Sequence, residues 1–252
     1  MLMRKLATLM TALSFLVSLG FADERQYVRD EVYNSYRIDN GYIGGYLNRI
    51  FQRHEFDSHP YYPSFESLKN AHLPAPKKVR GTMTYAGRFV RKYAYDVLRE
   101  DDTAVIEVRI HFRNTRTGDY AHFTKMLKKA ADYWTQGIDK SLLSFSVQFR
   151  FLAEEDPLKA HFNVKTVSTS IFTPVHGPYD VRWSRDWKLD IMTHEIGHML
   201  GLNDEYHYGS LLTGGLFDGC DNRSKMCSAK GDIQVNHSYF IFKRIIDEEV
   251  NE

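Results

Sequence analysis

His194-Glu195-Ile196-Gly197-His198 has the residue types and the spacing to bind a metal and move a proton. A helix turns about 100° per residue, so His194 and His198 project about 40° apart, from one face. Two neutral imidazoles one turn apart can hold a single Zn²⁺ at Zn–N distances of about 2.0–2.1 Å. Glu195 stands beside that position without needing to ligate, placed to take a proton from water. Leu189, Met192, Ile196, Met199 and Leu200 gather on the other face, which anchors the helix in a core.

The stretch continues as Met199-Leu200-Gly201-Leu202-Asn203-Asp204. Gly201 can adopt a positive φ, end the helix sharply and turn the chain back toward the metal position. Asp204 then supplies a carboxylate oxygen as third ligand. Three protein ligands leave a fourth position for water, as catalytic zinc sites require. Glu205 and His207 compete for the third place, with spacings less suited than that of Asp204.

HExxHxxGxxD followed by a later methionine resembles the metzincin clan of zinc endopeptidases. The aspartate form is similar to that of small secreted bacterial proteases such as snapalysin. The resemblance implies His194, His198 and Asp204 as zinc ligands and Glu195 as catalytic base. It also implies Met226, the one methionine after Met199, as the residue of the Met-turn beneath the zinc. Specific identity covers residues 194–204 and Met226, and the order of elements ahead of the motif fits the upper half of that fold. Some metzincins carry a zinc-ligating tyrosine two residues past the Met-turn methionine; Ser228 stands there here. Tyr206 and Tyr208 can approach the site and stabilise an oxyanion, but surface or packing roles suit them better.

These residues need a scaffold, and the hydrophobic pattern supplies one. Val105 to Phe112 is β-branched and reads as a strand, and Ser144 to Leu152 alternates as a second. Phe162 to Ile171 reads as a third. Phe123, Met126, Leu127, Ala130 and Trp134 line one face of a helix over Tyr120 to Trp134. The zinc-binding helix is expected from about Leu189 to Leu200, and a last helix from about His237 to Glu249. Strand, helix, strands, helix predicts an α+β fold: a metzincin-like twisted mixed sheet with an active-site helix, a Met-turn and a C-terminal helix. Tyr42, Tyr46, Leu47, Ile50 and Phe51 suggest a further short helix upstream. Pro74 to Arg80, with two prolines and three basic residues, reads as a linker or a processing site. The expected division is therefore a signal peptide (1–22), an N-terminal segment or pro-segment (23–80) and a catalytic domain (81–252).

Residues 1–22 place Arg4 and Lys5 before an apolar stretch from Leu6 to Leu19 and end Gly20-Phe21-Ala22, the pattern of a cleaved secretory signal. As a helix that stretch reaches about 21 Å, short of a hydrocarbon core of about 30 Å. The expectation is an exported protein, secreted or periplasmic, with no membrane anchor after cleavage. In such a chain Cys220 and Cys227 are expected to form a disulfide bracing the approach to Met226. Of 252 residues, 43% are hydrophobic and the net charge is +1, so no global positive field favours nucleic acid. Asp218, Asp221 and Asn222 lack the spacing of a calcium loop. His54-Glu55 with His59 puts the second histidine about 140° around a helix and reads as a loop imitation of the motif. A protein or peptide substrate is expected. The alternatives are a zinc amidase acting on cell-wall peptide and a non-catalytic zinc-containing binding protein, against which an intact Glu195 argues.

Overall fold

The computed structural model describes residues 57–58, 61–85, 89–168, 181–205 and 222–246. The signal segment, the helix expected near Tyr42, Tyr206, His207, Tyr208, Asp218, Cys220 and Asp221 lie outside them. The described elements are α1 (Phe65–Asn70), β1 (Lys77–Tyr85), β2 (Phe89–Glu100), β3 (Thr103–Arg113), α2 (Asp119–Gly137), β4 (Ser146–Ala153), β5 (Phe162–Val167), β6 (Val181–Ser184), α3 (Leu189–Met199) and α4 (Val235–Ile246). The class is α+β with one mixed sheet. None of the described helices is long and apolar enough to cross a membrane.

Central to the sheet is β3, whose Ala104, Val105, Ile106, Val108 and Ile110 are fully buried. It pairs antiparallel with β2 over residues 103–107 and parallel with β4 over 103–110. It then pairs parallel with β5 over 110–113, and β6 continues beyond β5. Both β4 and β5 follow β3 in parallel, as long crossover connections demand; α2 is the first of these crossovers. The sheet face carrying Val97, Ile106 and Phe149 receives the helices. On it Trp134 of α2 meets Phe149 at 5.8 Å between ring centroids. The indole Nε1 of Trp134 also donates to the Thr193 carbonyl at 3.1 Å, tying α2 to the middle of α3. The opposite face carries a polar net: Asp96 accepts from Arg80 and Arg109, and Glu107 accepts from Arg109.

The strands expected from 105 and 144 and the helices expected from 120 and 189 coincide with described elements; the strand expected from 162 and the helix expected from 237 coincide with β5 and α4, and their expected ends at 169–171 and 247–249 lie outside the described residues. The sequence reading missed the β1–β2 hairpin. Lys77, Lys78 and Arg80 suggested solvated linker, yet Lys78, Arg80 and Thr82 alternate with Val79, Gly81 and Met83, which pair in register with the Tyr93, Tyr95 and Val97 side of β2. Val79, Met83, Tyr93, Tyr95 and Val97 are all buried. The 80/81 division thus falls inside a paired strand. Residues before it are built into the same body: Ser58 N–H donates to the Thr82 carbonyl at 3.0 Å, and the Tyr239 hydroxyl of α4 donates to the Pro63 carbonyl at 3.0 Å.

Candidate metal centre

Helix α3 ends where the sequence suggests. Gly201 has φ +93, with its N–H bonded to the His198 carbonyl at 3.1 Å and the Leu202 N–H to the Gly197 carbonyl at 2.9 Å. These two bonds close a Schellman motif, whose left-handed residue a glycine occupies without strain. Buried Arg244 of α4 clamps the same turn, donating to the Gly201 carbonyl at 2.8 Å and the Leu200 carbonyl at 3.3 Å. Its Nε donates to Asp57 Oδ2 at 3.0 Å. Burial disfavours the charged guanidinium, but the Asp57 carboxylate outweighs it and raises the pKa of Arg244.

The turn delivers Asp204 to the histidines. Its Oδ1 lies 3.2 Å from Nε2 of His194 and 3.2 Å from Nε2 of His198. Bonds of about 2.0–2.1 Å in a tetrahedral site space ligand atoms about 3.3 Å apart, so the donor set fits a zinc ion. Both imidazole tautomers are fixed. His194 Nδ1–H donates to the Lys225 carbonyl at 2.7 Å, and His198 Nδ1–H donates to the Leu202 carbonyl at 2.8 Å. Each Nε2 therefore carries its lone pair toward the shared position, the arrangement that metal-ligating histidines adopt.

Charge is arranged to keep Asp204 ionised. Burial alone would raise its carboxyl pKa, but His198, Arg91 and the His194 contact hold it well below the usual carboxylate range. Burial likewise opposes a charge on His194, and the Asp204 carboxylate outweighs it and raises that pKa. Glu195 is half-buried, and its carboxylate lies within 4.8 Å of the ligating atoms of both histidines. It lines an open cleft together with His198 and Met199.

Beneath the helix, Met226 is fully buried. A Cβ on Gly197 would stand 2.5 Å from its Sδ, so a glycine is needed for this close approach. The Met226 carbonyl accepts from the Glu205 N–H at 3.0 Å, which pins the residue after Asp204 to the turn below. Glu205 faces elsewhere: its Oε1 accepts from Asn236 Nδ2 at 3.0 Å and from His237 Nε2 at 2.9 Å, both on α4. Of the two carboxylates, it is Asp204 that faces the two histidines and Glu205 that faces α4. Cys227 is buried beside Met226, while its expected partner Cys220 lies outside the described residues.

One neighbour of the site was not anticipated. Arg91, on β2 and more than a hundred residues before Asp204, places Nη2 3.2 Å from Asp204 Oδ2. No local pattern announces that pairing, because it depends on how the hairpin lies over α3.

The chain matches no family model, no curated protein and no solved structure. The site's chemistry therefore rests on its own geometry and on the motif.

Proposed function

We propose that this chain is a zinc-dependent endopeptidase of metzincin type, exported from the cell, with His194, His198 and Asp204 as metal ligands and Glu195 as general base. The observation that carries the reading is the convergence of Asp204 Oδ1 on both Nε2 atoms at 3.2 Å, with both Nδ1 positions occupied by backbone carbonyls. A zinc ion held there supplies Lewis acidity to a peptide carbonyl and lowers the pKa of water. Each residue then has a defined task. His194 and His198 are locked by their Nδ1 donations, so their rings need no reorientation when a metal arrives. Asp204 brings a negative charge that offsets part of the dication. Glu195 takes a proton from the attacking water on its carboxylate and returns it to the departing amine. Met226 supports α3 from below through Gly197.

The order of β3, α2, β4, β5, β6 and α3 agrees with the element order expected of that fold, and the Met226 contact agrees with a Met-turn. A disulfide between Cys220 and Cys227, closing the loop before that turn, belongs to the same reading.

The test is cleavage of a mixed peptide library by the purified chain, with Glu195→Ala as control. Cuts that require Glu195 and stop on zinc chelation support the reading. Cuts that persist in Glu195→Ala contradict it.

A further inference from the structure

His237 stands in the first turn of α4 and is only 1% exposed. Its Nδ1 accepts from the Gln234 N–H at 2.9 Å. A backbone N–H can only donate, so Nδ1 presents its lone pair and Nε2 carries the hydrogen. The Nδ1 bond is a helix cap of the capping-box kind, in which a first-turn side chain reaches back to the backbone N–H three residues earlier. Capping asks nothing of Nε2. That atom points out of the helix to two acceptors, Glu205 Oε1 at 2.9 Å and Ser224 Oγ at 3.2 Å.

Both acceptors lie on segments that hold metal ligands. Glu205 directly follows Asp204, and its own N–H donates to the Met226 carbonyl at 3.0 Å. Asn236 Nδ2 donates to the same Oε1 at 3.0 Å, so the carboxylate rests on two side chains of the first turn of α4. The positive end of the helix favours a carboxylate there. Ser224 directly precedes Lys225, whose carbonyl accepts from His194 Nδ1–H at 2.7 Å. The turn around Ser224 is close-packed. Lys225 N–H donates to the Asp232 carbonyl at 2.7 Å and Cys227 N–H to the Ser224 carbonyl at 3.1 Å. A Cβ on Gly231 would stand 2.3 Å from that Ser224 oxygen. Backbone packed this tightly passes a shift at Ser224 on to the Lys225 carbonyl. His198, by contrast, takes its support from Leu202 in its own turn.

Resting on the metal-ligand assignment above, we infer that His237 is a positioning residue for the metal centre. Through Glu205 it holds the chain that presents Asp204, and through Ser224 it holds the carbonyl that orients His194. Partners that orient a ligand typically contribute about 10–100-fold to metal affinity; His237 acts one bond further out, at the lower end of that range.

Two substitutions separate this role from capping. Asparagine places its amide where Nδ1 stands, so His237→Asn keeps an acceptor for the Gln234 N–H and loses the reach to Glu205 and Ser224. Glutamine carries its amide nitrogen to where Nε2 stands, so His237→Gln keeps the donor and loses the cap. Zinc affinity of the purified full chain is read by competition with a chromophoric chelator. The absorption of bound Co²⁺ reports the geometry of the centre, and urea unfolding without metal reports stability. His237→Asn should bind zinc about tenfold more weakly and alter the cobalt spectrum, while His237→Gln should stay within about threefold and keep it. Should His237→Asn fail to fold, Ser224→Ala removes one of the two arms and should bind zinc about threefold more weakly. The opposite order of the two His237 variants overturns the inference. So do unchanged zinc affinity and cobalt spectrum in folded variants that differ in stability alone. An unaltered chain that binds neither metal overturns the ligand assignment, and the inference with it. Weaker zinc binding by His237→Asn in a chain that cuts no peptide keeps the inference and sinks the peptidase reading.

Discussion

Arg91 Nη2 lies 3.2 Å from Oδ2 of Asp204 while Oδ1 of the same carboxylate faces His194 and His198 at 3.2 Å. One oxygen is anchored to the hairpin and the other is presented to the metal position. The guanidinium's charge opposes a dication, but it also fixes the carboxylate's rotation and keeps it ionised. Outer partners of this kind typically contribute about 10–100-fold to metal affinity, so orientation outweighs repulsion. Arg91→Met should therefore bind zinc about tenfold more weakly or worse, read by competition with a chromophoric chelator. Unchanged or tighter zinc binding would show that the pair is incidental to the site.

Asp57 has a comparable role one layer further out. Buried in the core, it accepts from Arg244 Nε at 3.0 Å and from the Tyr93 hydroxyl at 2.8 Å, and Lys243 Nζ lies 3.6 Å away. Arg244 in turn holds the Gly201 turn that delivers Asp204. Removing one member of such a buried set leaves its partners charged in the interior, at a cost of about 3–5 kcal/mol. Asp57→Ala should lose stability on that scale in urea unfolding, and a chain beginning at residue 81 should fail to fold, since it lacks both Asp57 and half of β1. A stable, zinc-binding 81–252 fragment would establish that the preceding residues are dispensable.

His161 makes stability depend on pH. Its Nδ1 accepts from the Arg109 N–H at 3.0 Å and its Nε2–H faces Asp96 Oδ2 at 3.3 Å, which suits the neutral ring. Burial lowers its pKa from 6.5 to about 4. The unfolded chain thus binds a proton first as pH falls, so the contribution is complete above 6.5 and lost on the way to 4. The shift corresponds to about 3 kcal/mol at most. His161→Gln should flatten the pH dependence of unfolding between 6.5 and 4 relative to the unaltered chain. An identical slope in both proteins would assign the acid sensitivity elsewhere.

Much of the centre is legible in the sequence because it is local. His194, Glu195 and His198 lie on consecutive turns of one helix, and Gly201 and Asp204 follow within a single turn, so spacing alone orients them. The α2 and β4 patterns are legible for the same reason, being amphipathic along their own length. What escapes is set by contacts distant in the chain. The β1–β2 hairpin hides its alternation behind the lysines and prolines of residues 74–80. Arg91 reaches Asp204 only once that hairpin is folded over α3. The turning of Glu205 toward α4 depends on Asn236 and His237, which sit on that helix. Tertiary partners of this sort leave no periodic trace.

The zinc content of the purified chain and two variants tests the central claim most directly. The account predicts one zinc per chain for the unaltered protein and for Glu195→Ala, and loss of stoichiometric zinc in Asp204→Ala, with folding checked by circular dichroism. A folded Asp204→Ala variant that keeps one zinc per chain, or an unaltered chain that binds none, would contradict it.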